Sequence, residues 1–384
     1  MTKPAFVFAS DTHLEEFSYI DMPEMYGDTF VAFEQVIDYA IDKELNVVLG
    51  GDNFECNRQH YPTAVTIRFA SQQLQRLEKA NLKLYYVNGQ HDRATRNVSW
   101  FSAINDRVAR SLHMTPSIIG GLEVIGINSV FSHELQSALD VAEKCLTRSG
   151  SPILVVHQRW KEFLKFEGAE DGSFKMIPKI FKTVITGDLH KATWFKSIRR
   201  AENNKKVRDR FVVSPGSTVR RSSAEGDEHF VHVMHDNHKV TSSRLKERPV
   251  LRLTVKDVHD VDAIADEFSE CKRQLMEAMT LLPAQIAKPL VIVSGVPTLP
   301  LFNAVKEMFG DLAFVRLSGR SGRESTAIAG METRSNATLA GLSCRDYINE
   351  LAMDPKAAEL ARVAMEASVK SNKDLIDNWR TNYR

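Results

Sequence analysis

Five short motifs rich in carboxylate, amide and imidazole groups, each closing an apolar run, constrain this chain more than any other feature. Ala5-Phe6-Val7-Phe8-Ala9 leads into Asp11-Thr12-His13, Val47-Val48-Leu49 into Gly50-Gly51-Asp52-Asn53, and Leu84-Tyr85-Tyr86-Val87 into Gly89-Gln90-His91-Asp92. Ile153-Leu154-Val155-Val156 ends on His157, and Val184-Ile185-Thr186 on Gly187-Asp188-Leu189-His190. Runs of this kind read as buried strands, so the sequence predicts ligand-type residues gathered at one edge of a sheet. Carboxylates and imidazoles hold divalent cations. Two such ions roughly 3.5–4 Å apart supply what phosphodiester hydrolysis needs: neutralised oxygens, an activated water and in-line geometry. Asp52 follows two glycines, which let backbone approach a cluster closely, and that suits a carboxylate bridging two ions. Each motif alone has a bland explanation, since a lone strand histidine is usually a satisfied core residue and a Gly-Asp pair usually a turn. The ordered set does not.

Around these motifs the hydrophobic spacing predicts helices over about 29–43, 63–80 and 132–146, which with the strands makes an α/β layer pattern. Beyond His190 antiparallel strands are expected over 193–198, 210–213 and 229–235, with a basic turn between the first two and a turn at Asp236-Asn237. His229, His232, His235 and His238 invite a metal reading, but His232 should face away from His229 and His235 on a strand. From residue 251 a small α/β unit is expected, with strands over 251–255, 290–293 and 313–317 and helices over about 261–279 and 301–308. Ser318 to Gly341 reads as a linker, and two helical stretches, 345–352 and 355–379, follow it. Those helices would either dock another protein or cap the chain itself.

At 384 residues, two or three domains with a well-buried core are expected. The net charge of +1 argues for no particular partner. Lys196, Arg199, Arg200, Lys205, Lys206, Arg208 and Arg210 crowd one segment, which by charge alone reads as a solvated hairpin. Four scattered cysteines without C-x-x-C spacing imply a reduced, intracellular protein. With no leader-like start and no apolar run near the roughly 18 residues of a membrane span, a soluble cytoplasmic protein without a membrane partner is expected, in host cytoplasm if phage-encoded.

The motif order D-x-H, G-D, G-N-H-D, H, G-H-x-H resembles that of the calcineurin-like metallophosphoesterases. Gly50-Gly51-Asp52-Asn53-Phe54-Glu55 and Ser214-Pro215-Gly216-Ser217-Thr218-Val219-Arg220 are similar to segments of their SbcD branch, which includes the double-strand-break nuclease Mre-eleven. The resemblance covers residues 5 to about 235. It implies an α/β fold, a four-layer phosphoesterase sandwich over 1–245, a small α/β capping domain over 246–317, a linker over 318–342 and a helical ATPase-docking segment over 343–384. It further implies a metal-dependent DNA exonuclease/endonuclease subunit with two divalent ions, acting on DNA as a homodimer with an SbcC-type (Rad-fifty) ATPase in end processing, recombination or repair. In that scheme Asp11, His13, Asp52 and His190 hold the first ion, Asp52 bridges, and Gln90, His157 and Asp188 complete the second. His91 is the acid or orienting group, and the basic segment becomes a phosphate-contact surface. Gln90 and Asp188 depart from the family's asparagine and histidine. The harder, more anionic set favours manganese or magnesium over zinc. A small-substrate phosphoesterase, or a subunit whose weakened metal site leaves it a structural role, is the alternative.

Overall fold

The computed structural model describes residues 2–17, 26–56, 61–92, 99–147, 150–164, 168–200, 206–221, 225, 228–254, 268–269, 272–273, 275–277, 279–280, 282–294 and 299–317. They fall into two compact units, one of Met1–Pro249 with Glu277–Lys288, the other of Val250–Met276 with the residues from Pro289 onward.

The first unit holds two six-stranded sheets. Strands β1 (Pro4–Ala9), β2 (Val47–Leu49), β3 (Leu84–Tyr86) and β4 (Ala109–Ser111) run parallel in the first sheet. Its far edge is completed by β11 (Phe230–His235), antiparallel to β1, and β12 (Val240–Arg244). The second sheet runs β5 (Ser117–Ile119), β6 (Leu122–Ile127), β7 (Ile153–His157), β8 (Thr183–Gly187), β10 (Lys206–Ser214), β9 (Thr193–Arg200). Strands β6, β7, β8 and β10 are mutually parallel, and both edges are antiparallel.

Period-two alternation builds the layers. Phe6, Phe8 and Val48 of the first sheet meet Ile153, Val155, Ile185 and Val213 of the second in a shared apolar core. The opposite faces carry Val7, Ala9, Val47 and Leu49 against α1 (Asp28–Asp42), α2 (Ala64–Lys79) and α3 (Trp100–Asn105). On the other side Leu154, Val156 and Val184 lie against α4 (Leu135–Lys144). Helix, sheet, sheet, helix is the four-layer α/β arrangement that the resemblance implies. The first turn of α2 is closed by Thr63, whose side chain accepts from the Thr66 amide, as N-cap residues do.

The structure extends the basic hairpin. Where a turn was expected between 198 and 210, strands β9 and β10 continue to Arg200 and begin again at Lys206, pairing across Lys206 and Arg200 with a register shift between Arg208 and Arg210. Strands β4, β5, β6 and β12 and helix α3 had no counterpart in the sequence reading, being short pieces or lacking clean periodicity.

In the second unit β13 (Val250–Thr254), β14 (Leu290–Ser294) and β15 (Phe314–Leu317) form a parallel sheet, backed by α6 (Leu299–Phe309) around Val291, Val293, Val305 and Phe309. A single-turn α5 (Ala284–Ala287) precedes it in sequence and belongs to the first unit. Most of the helix expected over 261–279, and all of the linker and terminal helices beyond 317, lie outside the described residues.

Candidate metal centre

All five ligand motifs lie at the carboxyl ends of parallel strands, β1, β2 and β3 from one sheet and β7 and β8 from the other, which is where α/β sheets leave a crevice. The first two loops are laced together by backbone bonds, Asp11 N–H to Gly51, His13 N–H to Asp52 and Leu14 N–H to Asn53, each 2.9 Å. Asp11, His13, Asp52 and Asp188 all sit in the left-handed region, at φ 51, 42, 48 and 77°. A non-glycine residue there is strained by roughly 1–3 kcal/mol, a cost met where function requires it. At Gly51, with φ 101°, a Cβ would collide with the His157 ring, and one at Gly89 would strike Asp52. Those glycines let the loops close on the site.

Four histidines converge with one orientation. His157 is buried, and its Nδ1–H donates to the Gly50 carbonyl at 2.8 Å. His13 and His91 both direct Nδ1 at Glu55, at 2.7 and 2.9 Å, and His190 directs Nδ1 at Glu225 at 2.8 Å. Each ring therefore presents Nε2 inward, as metal-ligating histidines do when an outer oxygen fixes the tautomer. Nε2 of His157 lies 3.3 Å from Asp52 and 3.8 Å from Asp188; Nε2 of His190 lies 3.2 Å from Nε2 of His13 and 3.8 Å from Asp11. Asp52 is within 3.9 Å of His13 and 4.0 Å of His91 as well, and its other oxygen accepts the His91 amide at 2.8 Å. Its central position fits a bridging carboxylate.

Electrostatics make the same demand for positive charge. Burial would lower the His157 pKa, but Asp52 and Asp11 outweigh it and push the ring up to about 10, while His157 in turn holds Asp52 well below the usual carboxylate range despite burial. Nε2 of His157 has Asp52 at 3.3 Å but makes no well-formed hydrogen bond. Two buried carboxylates, Asp11 and Asp52, beside one imidazole leave negative charge that a bound cation would offset. Ligating atoms of Asp11, His13 and His190 lie within 4.8 Å of one another, as do those of Asp11, Asp52 and His157. The residues fit divalent ions.

Gln90 and Asp188 meet each other. The Gln90 amide donates to Asp188, and Arg159 Nε lies 3.5 Å from the other Asp188 oxygen while also gripping Asp171 at 3.1 Å. Burial pushes the Asp188 carboxyl up, opposed first by His157.

Several residues at the site gave no separate signal in the sequence. Glu55 holds two histidines and pairs with Arg221 at 3.2 Å, and the Arg221 amide donates to Glu225 at 2.7 Å. One arginine thus ties together the carboxylates that orient His13, His91 and His190. Asp92, fully buried, accepts from the amides of Asn53, Phe54 and Gly89 and from the Asn53 side chain; burial pushes it up to about 7 against those donors. It is a scaffold for two ligand loops.

Of the basic segment, Lys196 is exposed with its ammonium 5.6 Å from the Phe211 ring centre, whereas Arg210 is drawn inward onto the carbonyls of Phe174, Ile177 and Pro178. The side chains of Arg199, Arg200, Lys206 and Arg208, and the whole of Lys205, lie outside the described residues. The strand histidines do not gather: His232 binds the Pro215 carbonyl and Ser242, His235 meets Thr241, and His238 meets Thr183.

Frame, loop order and donor set match those expected of a calcineurin-like metallophosphoesterase. In sequence the chain is similar to Mre11 proteins. It is 27% identical to the DNA double-strand break repair protein Mre11 of Saccharolobus solfataricus over 187 residues, 47% of this chain and 48% of that protein. To the Mre11 of Sulfurisphaera tokodaii it is 26% identical over 201 residues, half of each chain, and to that of Methanosarcina acetivorans 25% over 224 residues, 57% of this chain and 34% of the other. The chain thus spans about half the length, or less, of the curated relatives it matches. No family model matches it.

Proposed function

We propose that the chain is a metal-dependent DNA exonuclease/endonuclease subunit that works with an SbcC-type ATPase in DNA end processing, recombination or repair. The observation that carries the reading is the convergence of four inward Nε2 atoms on buried Asp11 and Asp52. The likeness to Mre11 supports DNA as the substrate, and the exposed Lys196 beside the basic hairpin supports a polyanion. When bound, two divalent ions would stabilise charge on a phosphate and acidify a water. Asp11, His13, Asp52 and His190 would hold one, Asp52, His157 and Asp188 the other, with Gln90 steadying Asp188 or lending its oxygen. The oxygen-rich set suits manganese or magnesium.

His91 stands at the mouth, its side chain 38% exposed and anchored through Nδ1 to Glu55, which is the main influence raising its pKa. It is placed to protonate the leaving oxygen. The capping unit, the linker, the docking helices over 343–384 and a homodimer complete the reading.

A specific observation favours a second reading. Arg159 and Gln90 already occupy Asp188, which suits a second ion site weaker than the first and a subunit whose main service is structural. Incubating the purified chain with manganese, magnesium or zinc and labelled single- and double-stranded DNA, beside an aryl phosphodiester, separates these. Metal-dependent cutting of DNA supports the nuclease, turnover of the aryl ester alone a small-substrate enzyme, and neither a structural subunit.

A further inference from the structure

Strand β9 starts at the edge of the molecule that carries the metal centre. Thr193 pairs with Ser214 at the end of β10, which runs parallel to β8, so Trp194 lies one residue inside the site edge. Strand β11 arrives there too: His232 pairs with Phe8 near the end of β1, and Phe230 lies one step closer to the ligand loops. Trp194 faces the same way as its partner Val213, toward the first sheet, and meets His232 edge-on at 5.9 Å and 87°; Phe230 lies 6.1 Å from the same ring. His232 cannot yield, being stacked on Phe8 and bonded to Pro215 at 3.0 Å and Ser242 at 2.8 Å.

The indole is nonetheless 49% exposed. A large aromatic held rigid at one edge but open to solvent serves no core. Lys191, just before the strand, and Lys196, on it, are both exposed and flank it in sequence. Three residues lie between Trp194 and the candidate ligand His190, so their Cα atoms are at most about 14 Å apart. Rigid aromatics beside cations are how proteins hold single-stranded nucleic acid, base on ring and phosphate on lysine.

We propose that Trp194, backed by His232 and Phe230 and flanked by Lys191 and Lys196, is a stacking shelf for an unpaired nucleobase next to the phosphate being cut. The inference rests on the DNA nuclease reading and narrows its substrate to strands with a base free to leave the stack.

Anisotropy of a labelled oligothymidylate and of an equally long abasic oligonucleotide, bound to the full chain in chelator, tests the shelf. Wild type should prefer the base-bearing strand. Trp194→Ala should lose about 5- to 100-fold on that strand, the range for one stacked base, and little on the abasic one, while Trp194→Tyr should retain most of the preference. Thermal melting reports whether each variant is folded. Equal binding of the two oligonucleotides by wild type, or equal losses on both in folded Trp194→Ala, overturns the shelf without touching the nuclease reading. Wild type that neither binds nor cuts DNA would remove the nuclease reading and the shelf with it.

Discussion

Asp52 is the residue on which the site turns, because one oxygen faces His157, His13 and His91 while the other anchors the His91 loop. Asp52→Ala should abolish metal-dependent turnover while leaving the far-ultraviolet circular dichroism unchanged; a tenth of wild-type activity surviving would refute the bridging role. Arg159 competes with any cation for Asp188. Arg159→Gln should therefore tighten the weaker of two ions by about 3- to 10-fold, a modest gain because the guanidinium is half exposed, and Asp188→Ala should weaken that ion selectively. Calorimetric titration with manganese reads both, and unchanged affinities in both variants would leave Asp188 outside the centre. Every ligand candidate was legible in the sequence because a ligand must sit at a strand end, a position that pattern reveals. Glu55, Glu225, Arg221 and Arg159 were not, since their roles depend on how separate loops fold back on one another, and nothing in local spacing encodes that.

At the scale of elements, strands that carry ligands were legible because they are apolar on both faces, and the amphipathic helices because their stripes pack on one sheet only. Short edge pieces such as β4, β5 and β12 were missed for the complementary reason: three to five residues with one solvated face carry little period. Strand β11 makes a prediction about acid. Burial holds His232 down to about 4 from an ordinary 6.5, so the native state favours the neutral ring. As pH falls, the unfolded chain takes the proton first, and stability is lost progressively between about pH 6.5 and 4, by roughly 3 kcal/mol in all. His232→Gln keeps an amide donor for Pro215 but no titrating group. Urea melts over pH 4–7 should show a shallower acid slope in that variant, and an identical slope would mean another group drives the loss.

For the whole molecule, the sequence pattern implied an α/β layering, and the resemblance its two layers of sheet and two of helix. The allocation of strands to sheets required the three apolar clusters to be seen. Removing residues 343–384 is expected to spare turnover of a simple aryl phosphodiester and to end ATPase association, as helix-in-groove docking demands. Co-purification of the shortened chain with the proposed ATPase at wild-type affinity would refute it, and loss of basal turnover would make residues 343–384 part of the fold. The centre draws on both sheets, from Asp11 to His190, and is braced by Glu225. Strand β1 pairs with β11, far along the same unit. On a ribosome, then, synthesis must run from Asp11 past His190 before the full set of candidate ligands can meet.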